Sequence, residues 1–194
     1  MRVGAYPGTF DPPTVAHVAI AEAAWRQGGL DRVELVVCAS PLGKGSSGVA
    51  PLADRVRLLD AVCEPRPWLG WSVNDSQLIR DIADGYDAVI LGSDKWAQVV
   101  DPQWYDGSKS VRDEALRRLP RVLIAARGSD VLARLPDTAT VLEVDRRLAS
   151  VSATAVRSGR TDWLAPELAG GWAPGAGGPG SASQGGASQG AGRP

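Results

Sequence analysis

Residues 2–17 read RVGAYPGTFDPPTVAH, a short apolar strand that runs into a turn of Gly and Pro and then into a helix. Gly8 lets the backbone turn tightly and approach a ligand closely. Thr14 suits the N-cap of a helix that begins at Val15, which places His17 in the first helical turn. The unpaired N–H groups and the helix dipole favour an anion there, such as a phosphate. The stretch therefore predicts a phosphate site, although a capped helix with an incidental histidine fits the same residues.

The rest of the chain alternates apolar runs with helical segments. Near-continuous apolar runs of four to six residues are typical of strands that are covered on both faces, as in parallel sheets. After the first strand, strands are predicted at 33–38, 71–73, 88–91, 122–125 and 140–142. Helices are predicted over 15–27, 52–62, 75–83 and 111–119, with Gly or Pro close to their ends. This order predicts an α/β protein with a doubly wound parallel sheet, whose ligands bind beyond the carboxyl ends of the strands.

The composition changes near Ala169. The last 25 residues, 170–194, contain ten Gly and little apolar side chain, so the entropy lost on ordering them would go uncompensated. The chain of 194 residues is of a length that suggests one globular domain. We predict one domain over 1–169 and a disordered tail over 170–194.

Charge and composition exclude several classes of protein. The 21 Lys and Arg against 22 Asp and Glu leave no basic excess, which argues against a nucleic-acid partner. One His and two Cys cannot build a His/Cys zinc cage or a disulfide framework. No apolar run approaches the roughly 20 residues that span a bilayer, and the amino terminus lacks the apolar core of a signal peptide. We predict a cytoplasmic protein with no membrane partner.

Two short motifs resemble one known family. GTFDPPTVAH, at 8–17, resembles the GTFDPxTxGH and GSFDPxHxGH signatures of the nucleotidyltransferase superfamily, and VSATAVR, at 151–157, is similar to its ISSTxxR signature. LGSD, at 91–94, with Trp104 further on, is similar to an element of the nicotinate/nicotinamide mononucleotide adenylyltransferases. The motifs occur in the family's order. The resemblance implies a Rossmann-like nucleotidyltransferase fold for residues 1–169, closest in pattern to those adenylyltransferases.

The resemblance also implies a site, carried over residue by residue. The catalytic residues would be His17, Thr14 and Lys44. The nucleotide-binding residues would be Gly8, Thr9, Phe10, His17, Gly92, Asp94, Ser152, Thr154 and Arg157. The acceptor-binding residues would be Thr9, Lys44 and Trp104, with Trp96 as a second candidate for the stacking tryptophan. Arg157 would grip the β- and γ-phosphates with its planar fork, and Arg55 is expected to be structural or at the rim.

The implied reaction is the transfer of AMP from ATP to a phosphate-bearing acceptor, with release of pyrophosphate. The acceptor would be nicotinate or nicotinamide mononucleotide. Mg²⁺ would arrive with the triphosphate and be held by phosphates and water, so no protein metal ligand is expected. The partners are small nucleotides and a phosphorylated acceptor, with a homo-oligomer possible.

Departures from the signatures leave alternatives open. Ala16 replaces the Gly of TxGH, and Ala153 replaces the second Ser of ISST. These changes motivate a non-catalytic nucleotide-binding protein of the same fold as one alternative. Within the same chemistry, a phosphopantetheine adenylyltransferase or a cytidylyltransferase is the other, because the sequence fixes neither ATP against CTP nor the acceptor.

Overall fold

A computed structural model describes residues 1–39, 49–126, 135 and 138–173. It contains a six-stranded sheet in the order β3-β2-β1-β4-β5-β6, with every neighbouring pair parallel. The strands are β1 Val3–Gly8, β2 Arg32–Cys38, β3 Leu69–Asn74, β4 Ala88–Gly92, β5 Arg121–Ala125 and β6 Thr140–Leu142. The helices are α1 Val15–Gln27, α2 Leu52–Cys63, α3 Ile79–Ile82, α4 Ser93–Val99, α5 Lys109–Arg117 and α6 Ala153–Arg157. The predicted α/β fold with a doubly wound parallel sheet is confirmed.

The strand order contains one switch point. From β1 the chain proceeds outward through β2 to β3, then returns to β4 on the other side of β1 and proceeds outward to β6. The connections therefore leave β1 and β4 in opposite directions and open a crevice beyond their carboxyl ends. Gly8 and Gly92 end these two strands. The crevice is where a ligand of such a sheet is expected.

The two faces of the sheet are covered by different helices. Along β2 the side chains alternate between faces, so Leu35 and Val37 pack in one core cluster with Leu59 of α2. Val36 points to the opposite face and packs in a second cluster with Ile82 of α3. Burial on both faces explains why this strand is apolar at successive positions.

The helix predicted over 75–83 is wrong over its first half. The Asn74 side chain accepts a hydrogen bond of 2.7 Å from the Ser76 N–H, and Leu78 is extended, so α3 begins only at Ile79. A local side-chain turn competes here with the helical backbone bonds. Helix α5 begins two residues earlier than predicted, at Lys109, because Ser108 caps it. Helix α4 was not among the predicted helices.

The described chain extends a few residues past the predicted domain boundary at Ala169. Trp172 is half-buried and packs against the first core cluster, and its backbone N–H donates to the Leu168 carbonyl. Residues 174–194 lie outside the described ranges. Within those ranges, no helix has both the length and the apolar character needed to span a membrane.

Candidate active site

The loop after β1 is packed around Phe10. The Phe10 side chain is 1% exposed, and a Cβ added at Gly8 would lie 2.6 Å from its ring. Phe10 itself has a positive φ of 50°. Gly8 is therefore required by the packing of this loop as well as by any close approach of a ligand. Phe10, predicted to contact the nucleotide, presents its ring to the core, which leaves its backbone for such a contact.

His17 is fixed in the first turn of α1 by Thr14. Its Nδ1 accepts the Thr14 N–H at 3.0 Å and lies 3.0 Å from the Thr14 hydroxyl, while Thr14 Oγ1 accepts the His17 N–H at 3.4 Å. Because a backbone N–H only donates, the neutral imidazole carries its proton on Nε2. Thr14 is 1% exposed, so it holds the histidine rather than facing the open crevice.

Two aromatic rings restrict the imidazole further. The Phe10 ring lies edge-to-face with His17 at 5.2 Å between centroids, and the Tyr6 ring lies at 6.3 Å. With Nδ1 bound and two rings beside it, the imidazole has little rotational freedom. The arrangement holds a half-buried N–H donor at the positive end of the α1 dipole. Chemically, it can donate to a negatively charged phosphate oxygen.

Arg55 of α2 links the loop after β1 to the end of the neighbouring strand β2. Its guanidinium donates to the carbonyls of Ala50, Thr9 and Cys38 at 3.1–3.2 Å, and its side chain is 2% exposed. Burial lowers the pKa of Arg55, and the nearby Asp11 carboxylate opposes that shift. Arg55 was expected to be structural or at the rim of the site. A structural role fits its position, because its side chain joins three chain segments at the carboxyl edge of the sheet.

The second motif meets the first through Arg157. Arg157 Nη1 donates to the Asp11 carbonyl and lies 3.7 Å from the Asp11 carboxylate, while Nη2 lies 3.4 Å from the Thr154 hydroxyl. Ser152 caps α6 by accepting the Ala155 N–H at 3.1 Å. The contact joins residues that are 146 positions apart in the sequence. The two motifs therefore lie side by side.

The segment after α6 also returns to the first motif. Leu164 forms an isolated antiparallel bridge with Thr14, and the Ala165 N–H donates to the Pro13 carbonyl at 3.2 Å. Nothing in the sequence pattern of this segment predicted that pairing. It fixes the carboxyl-terminal segment against the loop that holds His17.

The end of β4 supplies the other side of the crevice. Gly92 precedes α4, and a Cβ placed there would meet no heavy atom within 4 Å. Asp94 is exposed in the first turn of α4. Both predicted nucleotide-binding residues thus lie at the carboxyl end of the strand beside β1.

The two candidate tryptophans occupy different environments. Trp96 is 3% exposed and packs in the second core cluster, so it presents no ring face to a ligand. Trp104 lies in the 3-10 turn Pro102–Tyr105 and is half-buried. Its indole Nε1 is buried and has no hydrogen-bond partner among the described residues. Lys44, predicted to bind the acceptor, lies outside the described residues.

A model of the family described as Cytidylyltransferase-like matches residues 5–159. The chain belongs to this family. The match spans both motifs and all six strands except the first two residues of β1.

Individual relatives share a more specific name. A probable nicotinate-nucleotide adenylyltransferase of Geobacter sulfurreducens is 31% identical over 186 residues, which cover 85% of this chain and 80% of that protein. A protein of the same name from Bordetella avium is 32% identical over 164 residues, with 76% of each chain covered. The predicted membership of the nucleotidyltransferase superfamily, close to the mononucleotide adenylyltransferases, is confirmed, and so is its enzymatic character.

Solved structures share the fold. Plasmodium falciparum nicotinic acid mononucleotide adenylyltransferase complexed with NaAD superposes with a TM-score of 0.65 at 15% identity, and the same protein complexed with APC with a TM-score of 0.63 at 14% identity. Each match covers 87% of this chain and 92% of the other. The predicted Rossmann-like nucleotidyltransferase fold is confirmed, whereas the roles of single residues stay predictions.

The contacts of Asp11 could not be predicted from the sequence. Asp11 is 5% exposed, accepts the Ala50 N–H at 3.1 Å and lies beside Arg157, so it links the loop after β1 to the segment before α2 and to α6. The contact of Asp11 with Arg157, 146 positions away, is visible only in the tertiary structure. Burial raises the pKa of the Cys38 thiol at the end of β2, and the nearby charges of Lys95 and Arg55 partly oppose that shift.

Proposed function

We propose that the protein transfers AMP from ATP to nicotinic acid mononucleotide and releases pyrophosphate. The observation that carries the proposal is the contact of Arg157 with the Asp11 carbonyl, because it brings the second motif against the loop that precedes His17. The names of the two relatives described above support the acceptor. They agree with the function predicted from the sequence.

The mechanism needs positioning and charge stabilisation rather than a protein nucleophile. An oxygen of the acceptor's phosphate attacks the α-phosphorus of ATP, and the bond to the bridging oxygen breaks as pyrophosphate leaves. His17, protonated on Nε2, donates to the α-phosphate as negative charge develops there. Arg157 and Thr154 hold the β- and γ-phosphates, so the leaving group is oriented before the reaction.

Magnesium fits this site as a companion of the triphosphate. In the described part of the chain, no group of three or more His, Cys, Asp or Glu side chains is arranged to hold a metal ion. Mg²⁺ retains most of its water and binds substrate phosphates in sites with few protein ligands. It would neutralise charge on the phosphates, while the side chains above orient them.

The burial of Ala16 weighs against the non-catalytic alternative. Ala16 is 1% exposed, so its methyl group is enclosed by protein atoms instead of projecting into an open phosphate site. The substitution of Gly by Ala at this position is therefore compatible with bound phosphate. A cytoplasmic location and a homo-oligomer stay predictions.

Pyrophosphate release tests the proposal. The purified protein is mixed with ATP or CTP and with nicotinic acid mononucleotide, nicotinamide mononucleotide, phosphopantetheine or glycerol phosphate. We expect the highest kcat/KM with ATP and nicotinic acid mononucleotide. Release only with another pair would reassign the substrate, and none with any pair would favour the nucleotide-binding alternative.

A further inference from the structure

The two edges of the sheet are protected to different degrees. At one edge, β6 has only three residues, and the Gln27 side-chain amide binds the N–H and the carbonyl of Glu143, the residue after β6, at 2.8 Å and 2.9 Å. At the other edge, β3 has six residues, none of them Pro or charged. An edge strand without such residues is prone to pair with another strand. Among the described residues, no side chain caps the outer backbone of β3 as Gln27 caps Glu143.

The outer hydrogen-bonding groups of β3 follow from its register with β2. The carbonyls of Trp68 and Asn74 accept N–H groups from β2 and the residue after it, at 2.9 Å and 3.2 Å. Successive residues of a strand direct their backbone groups to opposite sides, so Trp71 and Val73 direct theirs away from β2. In the described part of the chain, no strand pairs with them on that side. A further strand that added there would bond to these groups.

A groove of about 740 Å³ runs beside this edge, between β3 and α2. Trp71 lines it from β3, and its indole N–H donates to the Asp60 carboxylate of α2 at 2.7 Å. Val73 lies on the same face of β3 as Trp71 and is 43% exposed. The edge therefore presents apolar side chains beside its outer backbone groups.

Helix α2 lines the groove with one stripe of its surface. The stripe consists of Arg57, Asp60, Ala61 and Glu64, whose spacing of i, i+3, i+4 and i+7 places them on one helical face. Arg57 and Glu64, at its two ends, are exposed and of opposite charge. The small side chain of Ala61, near its middle, leaves room for the approach of another helix.

The charges of the groove favour a surface like its own as the partner. Its lining includes Arg32, Arg57 and Arg66 as well as Asp60 and Glu64. A partner with charge of one sign would therefore meet like charges in part of the groove, which costs free energy. A second copy related by a twofold axis presents the same charges in the reverse order, so that opposite charges meet.

We propose that two copies of the chain associate through an antiparallel contact between their β3 strands, about a twofold axis at Trp71. In this register Trp71 lies opposite the partner's Trp71, and Val73 lies opposite the partner's Leu69. The outward N–H and carbonyl groups then bond across the axis, and the two six-stranded sheets become continuous. Aromatic and aliphatic cross-strand pairs contribute further to such a contact.

The same axis brings the two α2 helices together. Each α2 packs over β2 and β3, and neighbouring strands are about 4.8 Å apart. The two helices therefore lie about 10 Å apart across the axis, a distance at which helices pack. The hydrogen bond from Trp71 places the axis beside Asp60, between Arg57 and Glu64. Each Arg57 thus lies beside the partner's Glu64, which forms two equivalent ion pairs.

The contact is expected to be weak and to depend on protein concentration. Its area, one edge strand and one helix stripe from each copy, is small for a stable dimer. At concentrations well below the dissociation constant the chain is a monomer, so Arg57 then adds only its surface contact with Asp54 to the stability. The interface contains none of the residues predicted to bind substrates, so this inference does not depend on the proposed function.

Sedimentation equilibrium of the full chain over a range of concentrations measures the dissociation constant of the dimer. The variants are Val73→Lys, which adds a charge to the outer strand, Arg57→Glu and Glu64→Arg. The control is Arg117→Glu, because Arg117 is exposed on α5 and, like Arg57, contacts an acidic residue three positions earlier. All the changed side chains are exposed, and melting curves show whether each variant is folded.

We expect the wild type to form dimers and no larger species, because a twofold contact closes on itself. Each of the three variants should weaken the dimer about 10-fold or more, whereas Arg117→Glu should leave it unchanged. A wild type that stays monomeric up to about 1 mM would overturn the proposal. So would larger assemblies, or dimers that Val73→Lys leaves unaltered.

A mixture of two variants tests the direction of the contact. When Arg57→Glu and Glu64→Arg are combined in equal amounts, the mixed dimer regains opposite charges at both ion pairs, which neither variant has alone. We expect the mixture to dimerise about as well as the wild type. A mixture that dimerises no better than its components would overturn the antiparallel pairing.

Hydrogen exchange locates the contact on the strand. The backbone amides of Trp71 and Val73 should exchange more slowly at concentrations at which the dimer forms, because they become hydrogen-bonded, whereas those of β6 should be unchanged. Exchange at Trp71 and Val73 that is equally fast in monomer and dimer would overturn the proposal and place the contact elsewhere.

Discussion

The two motifs that form the candidate site are built in opposite ways. In the first motif the side chains of Phe10, Asp11 and Thr14 are at most 5% exposed, and each has a packing or hydrogen-bonding partner inside the protein. In the second motif Thr154 and Arg157 are exposed on the short helix α6. The side chains of the first motif are held by the protein core, whereas the Thr154 and Arg157 side chains of the second motif lie on the surface.

This difference predicts that the two motifs contribute to different steps, the first to turnover and the second to ATP binding. A residue held rigidly contributes most where geometry matters most, in the transition state. A surface arginine contributes mainly Coulombic attraction and hydrogen bonds to a bound triphosphate. Substitutions in the first motif should therefore affect turnover or stability, and substitutions in the second should affect ATP affinity.

His17→Ala should produce the largest effect. Removal of one preorganised donor typically lowers turnover about 10²–10³-fold, whereas the affinity for ATP should change much less. The measurement is single-turnover pyrophosphate release at saturating ATP and acceptor, with the folded concentrations of both proteins matched. Equal rates would end the catalytic role of His17. A loss of thermal stability with an unchanged rate per folded molecule would make it a packing residue.

Arg55→Met should destabilise the protein by about 3 kcal/mol, because it leaves three carbonyls without their buried donor. Urea unfolding measures the change. Arg57→Met, on the same helix, is the matched control, since its side chain is 76% exposed and pairs only at the surface with Asp54. We expect the control to change the free energy of unfolding by about 0.5 kcal/mol or less. Similar losses of unfolding free energy in both variants would contradict the role of Arg55 in joining the three chain segments.

Arg157→Ala should weaken ATP binding about 10–100-fold and leave the fold intact. The side chain is exposed, so its loss removes a phosphate contact without opening the core. Isothermal calorimetry gives the dissociation constant, with Arg160→Ala as a control, because Arg160 contacts Asp162 and Trp163. An unchanged affinity in Arg157→Ala would remove the second motif from the site.

Shortening the chain should have the smallest effect and tests the domain boundary. A chain that ends at Ala173 should keep the thermal stability and activity of the full protein. A chain that ends at Ala169 lacks Trp172, whose half-buried ring packs on the core, and should lose about 1 kcal/mol. Melting curves of both chains against the full protein measure this. A large loss in the chain ending at Ala173 would show that residues beyond it contribute to the fold.

The sequence predicted the sheet better than the helices. Strands β2, β4 and β5 are apolar at successive positions because both faces are covered, and this is a strong signal in a short window. Helix α3 was overextended because a local hydrogen bond from Ser76 to Asn74 is invisible to periodicity. Helix α4 has seven residues and begins directly after β4, so it offers too short a pattern to identify.

In the site, too, some features could be predicted from the sequence and others could not. The motif residues His17 and Arg157 were predicted from their sequence context alone, and the structure brings their motifs together. The proton position on His17 could not be predicted, because it depends on the N–H that Nδ1 accepts. The pairing of Leu164 with Thr14 could not be predicted either, since the two residues are distant along the chain.

By itself, the sequence determined the α/β fold, the capped start of α1 and the family, because each depends on residues that are neighbours along the chain. Only the tertiary structure decided which groups the Arg157 and Arg55 side chains contact. Arg157 reaches Asp11 across 146 positions, and Arg55 joins three segments by their carbonyl groups. Backbone carbonyls are the same in every residue, so no sequence pattern records which of them a buried guanidinium will bind.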